Sequence, residues 1–165
     1  MSVIVVSFSV LGYFGVELYR QAPPIPSEVA TPNGEVVYRA ADIRDGQNVW
    51  QSIGGQELGS IWGHGAYVAP DWSADWLHRE CMWLLNHWSR QQYESPFEQL
   101  TLIQQAELRA RLKQEVRTNG YDPDTDRLVI SADRAEAADA LGRYYAALFG
   151  DAAEFPEDIQ WLADG

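Results

Sequence analysis

The chain has 165 residues, 46% of them hydrophobic, which is enough to bury one core of ordinary domain size. Twelve Lys and Arg against 24 Asp and Glu leave a net charge of -12, which argues against nucleic acid as a partner, because phosphate contacts need clustered cations. The single cysteine, Cys81, excludes an internal disulfide and any cysteine-built metal cluster.

Residues 3–16 carry no charge, and Glu17 is the first ionisable side chain. From Met1 the uncharged run is 16 residues, near the lower bound of roughly 17–25 for a spanning helix. The reading adopted is a transmembrane anchor helix over 1–20, with Tyr13 and Tyr19 either at the bilayer interface or in ordinary packing. A cleaved signal peptide, which lacks here a basic start and a clear cleavage site, and a buried core helix are the rivals. Pro23, Pro24 and Pro26 end the helix, since proline removes a donor and holds the chain extended. Residues 21–39 then read as a linker and a small hairpin, with Pro32-Asn33-Gly34 as the turn and Val36-Val37-Tyr38 as the return strand.

Ile43, Val49, Trp50 and Ile53 share one face of a helix predicted from Ala40 or Asp42 to about Ile53, closed by Gly54-Gly55. The glycine-rich stretch 54–65 follows. Asp71 or Ser73 caps a helix to about Arg90, carrying Trp72, Trp76, Met82, Trp83, Leu85 and Trp88. Ser95-Pro96-Phe97-Glu98 reads as a capping box opening a helix to about Thr118, with Leu100, Ile103, Leu108, Leu112 and Val116 at apolar spacing. Asp122-Pro123-Asp124-Thr125-Asp126 begins like a calcium loop, but Arg127 stands where glycine is required, so it reads as a turn before a strand over 127–130. Ser131 caps a last helix to Phe149, with Leu141, Tyr145, Leu148 and Phe149 as core, and 151–165 is a tail in which Phe155, Ile159 and Trp161 can dock. His78 and His87, nine positions apart on one predicted helix, cannot share a metal.

A helix ending at a glycine pair, a glycine-rich loop and then Ala69-Pro70-Asp71 is the layout in which c-type cytochromes attach haem. The five positions of Cys-x-x-Cys-His are Gly55, Gln56, Glu57, Leu58 and Gly59 here, so neither thioether nor axial histidine is available. Val-Val-Ser-Phe (5–8), Leu-Gly-Tyr-Phe-Gly (11–15), Tyr-Arg-Gln-Ala-Pro-Pro-Ile-Pro (19–26), the run 39–50 and the run 59–80 resemble the N-terminal extramembrane region of quinol-dependent nitric oxide reductases. That resemblance implies a mainly α chain: a transmembrane anchor (1–20), the linker and hairpin (21–39), a haemless cytochrome c-like domain (40–150) and a tail (151–165). The cytochrome hole left without porphyrin would be filled by Trp62 and at least one of Trp72 and Trp76, since each Trp buries about 150–250 Å²; the alternative is that these rings face the membrane or a partner.

The resemblance also implies a role: an accessory part of the reductase on the extracytoplasmic side of the inner membrane, capping the catalytic membrane domain. No catalytic residue falls in this chain; haem b and non-haem iron belong to that partner, and no cofactor is bound covalently here. Gly65 and Tyr67 are the implied contributors, through main-chain oxygens, to a calcium ion at the interface, and His64 and Trp62 are the implied partner-facing residues. The alternative is an autonomous membrane-tethered binding or interaction module without redox activity.

Overall fold

The computed structural model describes residues 2–21, 24–150 and 155–163. Five helices and two small sheets carry the described chain: α1 (Ser2–Gln21), β1 (Glu28–Ala30), β2 (Val36–Arg39), α2 (Ala40–Ser52), β3 (Ser60–Ile61), β4 (His64–Gly65), α3 (Trp72–Tyr93), α4 (Leu102–Arg117), β5 (Tyr121–Asp122), β6 (Arg127–Val129) and α5 (Ala132–Phe149).

The N-terminal helix forms, but the transmembrane reading of residues 1–20 is overturned. Among the described residues no helix is long and apolar enough to cross a membrane. The uncharged stretch 3–16 gives only about 21 Å of helix against a hydrocarbon core of roughly 30 Å, and Ser7, Ser9, Gly12 and Gly15 dilute it. Its apolar side chains, Val3 to Leu18, are exposed. Pro23 and the side chain of Tyr19 lie outside the described residues.

The core is a three-helix packing of α3 against α4 and α5. Trp88, Leu84, Leu108 and Leu141 are fully buried, and Phe97, Leu100 and Tyr144 close the cluster. Beyond Gly150 the chain returns to the same core, where Ile159 and Leu162 are buried and Phe155 stacks on Tyr144. Arg143 holds this return through Asp158, and Arg79 donates to the Leu162 carbonyl. Leu148 and Phe149, expected in the core, stay partly exposed, because the chain buries the Ala137, Ala140, Leu141 and Tyr144 face of α5 instead.

The caps follow the sequence at α3 and α5, where Asp71 and Ser131 accept from the amides of Ala74 and Arg134. They do not at α4. Phe97–Gln99 is a single 3-10 turn, and Leu100 then turns extended to stay buried. Thr101 starts the helix with its own capping box, its hydroxyl accepting from the Gln104 amide while the Gln104 side chain accepts from the Thr101 amide. Ile103, an expected core position, is therefore in the first turn and 82% exposed. The predicted hairpin is present as β1 and β2, but it belongs to a larger sheet of order β2-β1-β6-β5, in which β1 runs parallel to β6.

Candidate functional site: a braced hairpin beside an aromatic pocket

Gly54 takes a left-handed backbone (φ 71°) after α2, a 3-10 turn over Gly55–Glu57 follows, and the chain then folds back as the β3–β4 hairpin. Ile61 pairs with His64, so Trp62 and Gly63 are the two turn residues. Both have positive φ, 54° and 75°, as type I′ hairpin turns require. Glycine adopts that region freely, but tryptophan does so at a cost of about 1–3 kcal/mol. The strained residue is also one of the most displayed, with Trp62 83% exposed at the tip.

One carboxylate braces this hairpin. Asp71 Oδ2 accepts from the Ser60 hydroxyl at 2.6 Å and the Gly63 amide at 2.7 Å, while Oδ1 accepts from the Ala74 amide at 3.0 Å as the α3 cap. The Ser60 hydroxyl first, then the two amides, pull the Asp71 carboxyl down to about 2. Ser73 Oγ accepts from the Trp62 amide at 2.9 Å, and the Ser60 and Ala66 amides donate to the Pro70 and Gln56 carbonyls. The loop is thus tied at several points to the start of α3.

Two glycines make the close approach possible. A Cβ on Gly65 would lie 2.4 Å from the Gly59 carbonyl oxygen, and one on Gly59 would lie 2.3 Å from Trp72 Nε1 and 2.4 Å from the Pro70 carbonyl oxygen. At Gly55 a Cβ would meet the Trp50 indole at 2.2 Å. Positions 55 and 59 are therefore closed by the rings of Trp50 and Trp72. Trp72 is fixed in place by its own indole N–H, which donates to the Leu58 carbonyl at 3.2 Å.

Beside the hairpin lies an aromatic pocket of about 790 Å³, walled by Trp50 from α2, Trp62 from the turn, Trp72, Trp76 and Leu77 from α3, and Phe149 from α5. Trp72 meets Phe149 edge-on at 5.2 Å, and Trp76 stacks on Tyr145 at 5.4 Å. Tyr145 donates to Asp75 at 2.6 Å, and burial with this bond pushes the phenol well above its ordinary range. Glu80 lies in the wall almost fully buried, its carboxylate paired with Arg134 at 2.6 Å.

The structure brings Trp62, His64 and Gly65 together in one hairpin; Tyr67 follows it and is 93% exposed. Trp72 and Trp76 meet in the aromatic cluster, where they line the pocket and leave it open, and Trp62 stands at its rim. His87 is elsewhere, stacked on Trp83 at 4.5 Å. The sequence marks Asp71 only as a helix cap; its second role as hairpin brace has a signal in Ser60 and Gly63, but pairing across eleven residues leaves no periodicity. Among the described residues no group of three or more His, Cys, Asp and Glu is placed to hold a metal ion.

A family model for the NorB cytochrome c-like domain of nitric oxide reductase matches residues 26–162. The chain belongs to that family. The match takes in the four-stranded sheet, the braced hairpin, the aromatic pocket and the returning segment that carries Ile159 and Leu162. It associates this cytochrome c-like domain with nitric oxide reductase. No curated protein sequence matches the chain.

Proposed function

We propose that the domain is an accessory, electron-silent cap on the catalytic membrane part of a quinol-dependent nitric oxide reductase, held at its extracytoplasmic face. The observation that carries the reading is Trp62: a bulky side chain kept in a left-handed turn and exposed, on a hairpin fixed by Asp71. Strain maintained by surrounding bonds at an exposed position is the mark of a surface built to be used. His64 on the same hairpin is exposed and would meet the partner with it.

Closure of positions 55 and 59 by Trp50 and Trp72 supports the electron-silent part of the proposal. Electrons would then pass from quinol to haem b in the partner without crossing this domain. Calcium, in this reading, sits between the two parts. Gly65 and Tyr67 would offer main-chain oxygens, which suit a hard cation, and the partner would supply most of the shell, since Asp71 is committed to Ser60, Gly63 and Ala74. The autonomous-module alternative would be favoured by a tight ligand pocket in the old haem site that tryptophan does not fill; Trp50, Trp72 and Trp76 wall the pocket beside the hairpin and leave about 790 Å³ open, so a ligand bound there is the finding that would favour it.

The test is purification of the chain from its native membranes in mild detergent, with haem b absorbance and quinol-driven nitric oxide consumption read in the eluate. Co-eluting haem and activity, weakened by Trp62→Ala and by a calcium chelator, are the expected result. A chain that elutes without haem or a large membrane partner refutes the capping role.

A further inference from the structure

Two features around the aromatic pocket converge. The first is an unsatisfied helix: α2 buries none of its residues, and Val49 and Ile53 are more than half exposed. A helix with an apolar stripe owes its stability in water to covering that stripe. The second is charge. The chain carries 36 Asp, Glu, Lys and Arg residues, yet residues 58–70 contain none, while Leu58, Trp62, Tyr67 and Val68 in that run are all at least half exposed.

We infer that this pocket seats an uncharged, apolar segment of the catalytic part of nitric oxide reductase, a bulky side chain of which enters between α2, α3 and α5. The inference rests on the capping role proposed above and names the seat. Depletion of charge with enrichment of aromatic rings is what distinguishes the core of a protein interface from ordinary surface. The two charged groups in the wall ask for no ionic partner, because Asp71 is satisfied by Ser60, Gly63 and Ala74, and Glu80 by Arg134.

A lipid surface fits less well. Membrane-surface sites combine apolar side chains with Lys and Arg that meet anionic headgroups. No basic residue lines this pocket, and its two charged residues are acidic. The pocket is moreover concave, with a volume of about 790 Å³ that suits an inserted side chain.

The experiment places a photocrosslinking p-benzoylphenylalanine at position 77, where Leu77 is half exposed in the pocket wall, and separately at position 67 next to the hairpin. The full-length protein is irradiated in its native membranes, and the attached peptides are identified by mass spectrometry. Position 77 is expected to attach to a catalytic-part peptide free of charged residues at the point of attachment. In parallel, Leu77→Asp should cut recovery of the catalytic part about tenfold or more, because a charge is then desolvated in an apolar seat, with the circular dichroism of the chain unchanged. Attachment at 77 to lipid, to a second copy or to a charged segment overturns the inference. So does no attachment at 77 while position 67 still joins the catalytic part, a result that leaves the capping role standing. Failure at both positions, with no catalytic part recovered, removes both.

Discussion

Alanine at Gly55 tests the packing of Trp50 on that position directly, with alanine at Gly46 as its opposite. A Cβ at 55 would stand 2.2, 2.4 and 2.6 Å from three indole carbons of Trp50, where carbon atoms normally rest at about 3.5–4.0 Å. The indole must therefore retreat by more than about 1 Å. It cannot retreat alone, because Trp50 is in edge contact with Phe149 at 6.4 Å, and Phe149 in turn contacts Trp72. Such overpacking costs about 1–3 kcal/mol, or about 2–12 °C of melting temperature in a chain of this size. Gly46 lies in the exposed interior of α2, and a methyl group added there would meet nothing within 4 Å, so alanine should stabilise by about 0.5–1 kcal/mol. Urea unfolding followed by tryptophan emission measures both, and the emission maximum of folded Gly55→Ala should shift as Trp50 moves. If Gly55→Ala is as stable as the parent with an unchanged spectrum, Trp50 does not occupy that space and the account of the closed position is wrong.

Asp71→Asn should remove an acid-sensitive contribution. The folded carboxyl sits at about 2 and the free one near 3.8, so its stabilisation is complete above about pH 4 and disappears as pH falls through about 2; acid titration of parent and variant should differ in that window, and identical curves would refute the brace. Arg134→Ala leaves the Glu80 carboxylate buried without its partner and should cost roughly 3–5 kcal/mol, whereas the double change Glu80→Leu with Arg134→Ala should recover much of it; equal loss in both would show that the ion pair is not the cause. Leu141, fully buried among α3, α4 and the returning segment, should lose about 2–5 kcal/mol on change to alanine, read as a lowered urea midpoint with unchanged slope.

Much of the helical frame is legible in the sequence because its signals are local. Ser131 and Asp71 announce α5 and α3, and Gly54 closes α2 within a residue or two of the expected end. The start of α4 is not, because Ser95-Pro96-Phe97-Glu98 imitates a capping box, while burial of Phe97 and Leu100 breaks the turn and hands the role to Thr101. The first helix is legible as a helix but not in its length of uninterrupted apolar surface. At the candidate site, Trp72 and Trp76 can be picked from sequence, since helical spacing places them on the face that meets Tyr145. The rim position of Trp62 cannot, because a turn of positive φ is set by the two-residue hairpin and by Asp71 rather than by any pattern in the run itself. The β1–β2 hairpin and β6 can be read from the turn at Asn33-Gly34 and the run 127–130, but the parallel pairing of β1 with β6 joins segments about 99 positions apart and has no local signal, so the four-stranded sheet emerges only in three dimensions.

That sheet has a bearing on how the chain is made. Ser27 donates from its amide and its hydroxyl to the Asp126 carbonyl, 99 positions away, and β1 depends on β6 for its parallel neighbour. At about 5–20 residues per second, a ribosome needs some 5–20 s to supply the missing strand after β1 has emerged. Joining the two ends then costs about 4 kcal/mol in loop entropy before any strand bond is gained. For those seconds the β1–β2 hairpin offers an open edge of the kind that chaperones cover and that aggregates recruit.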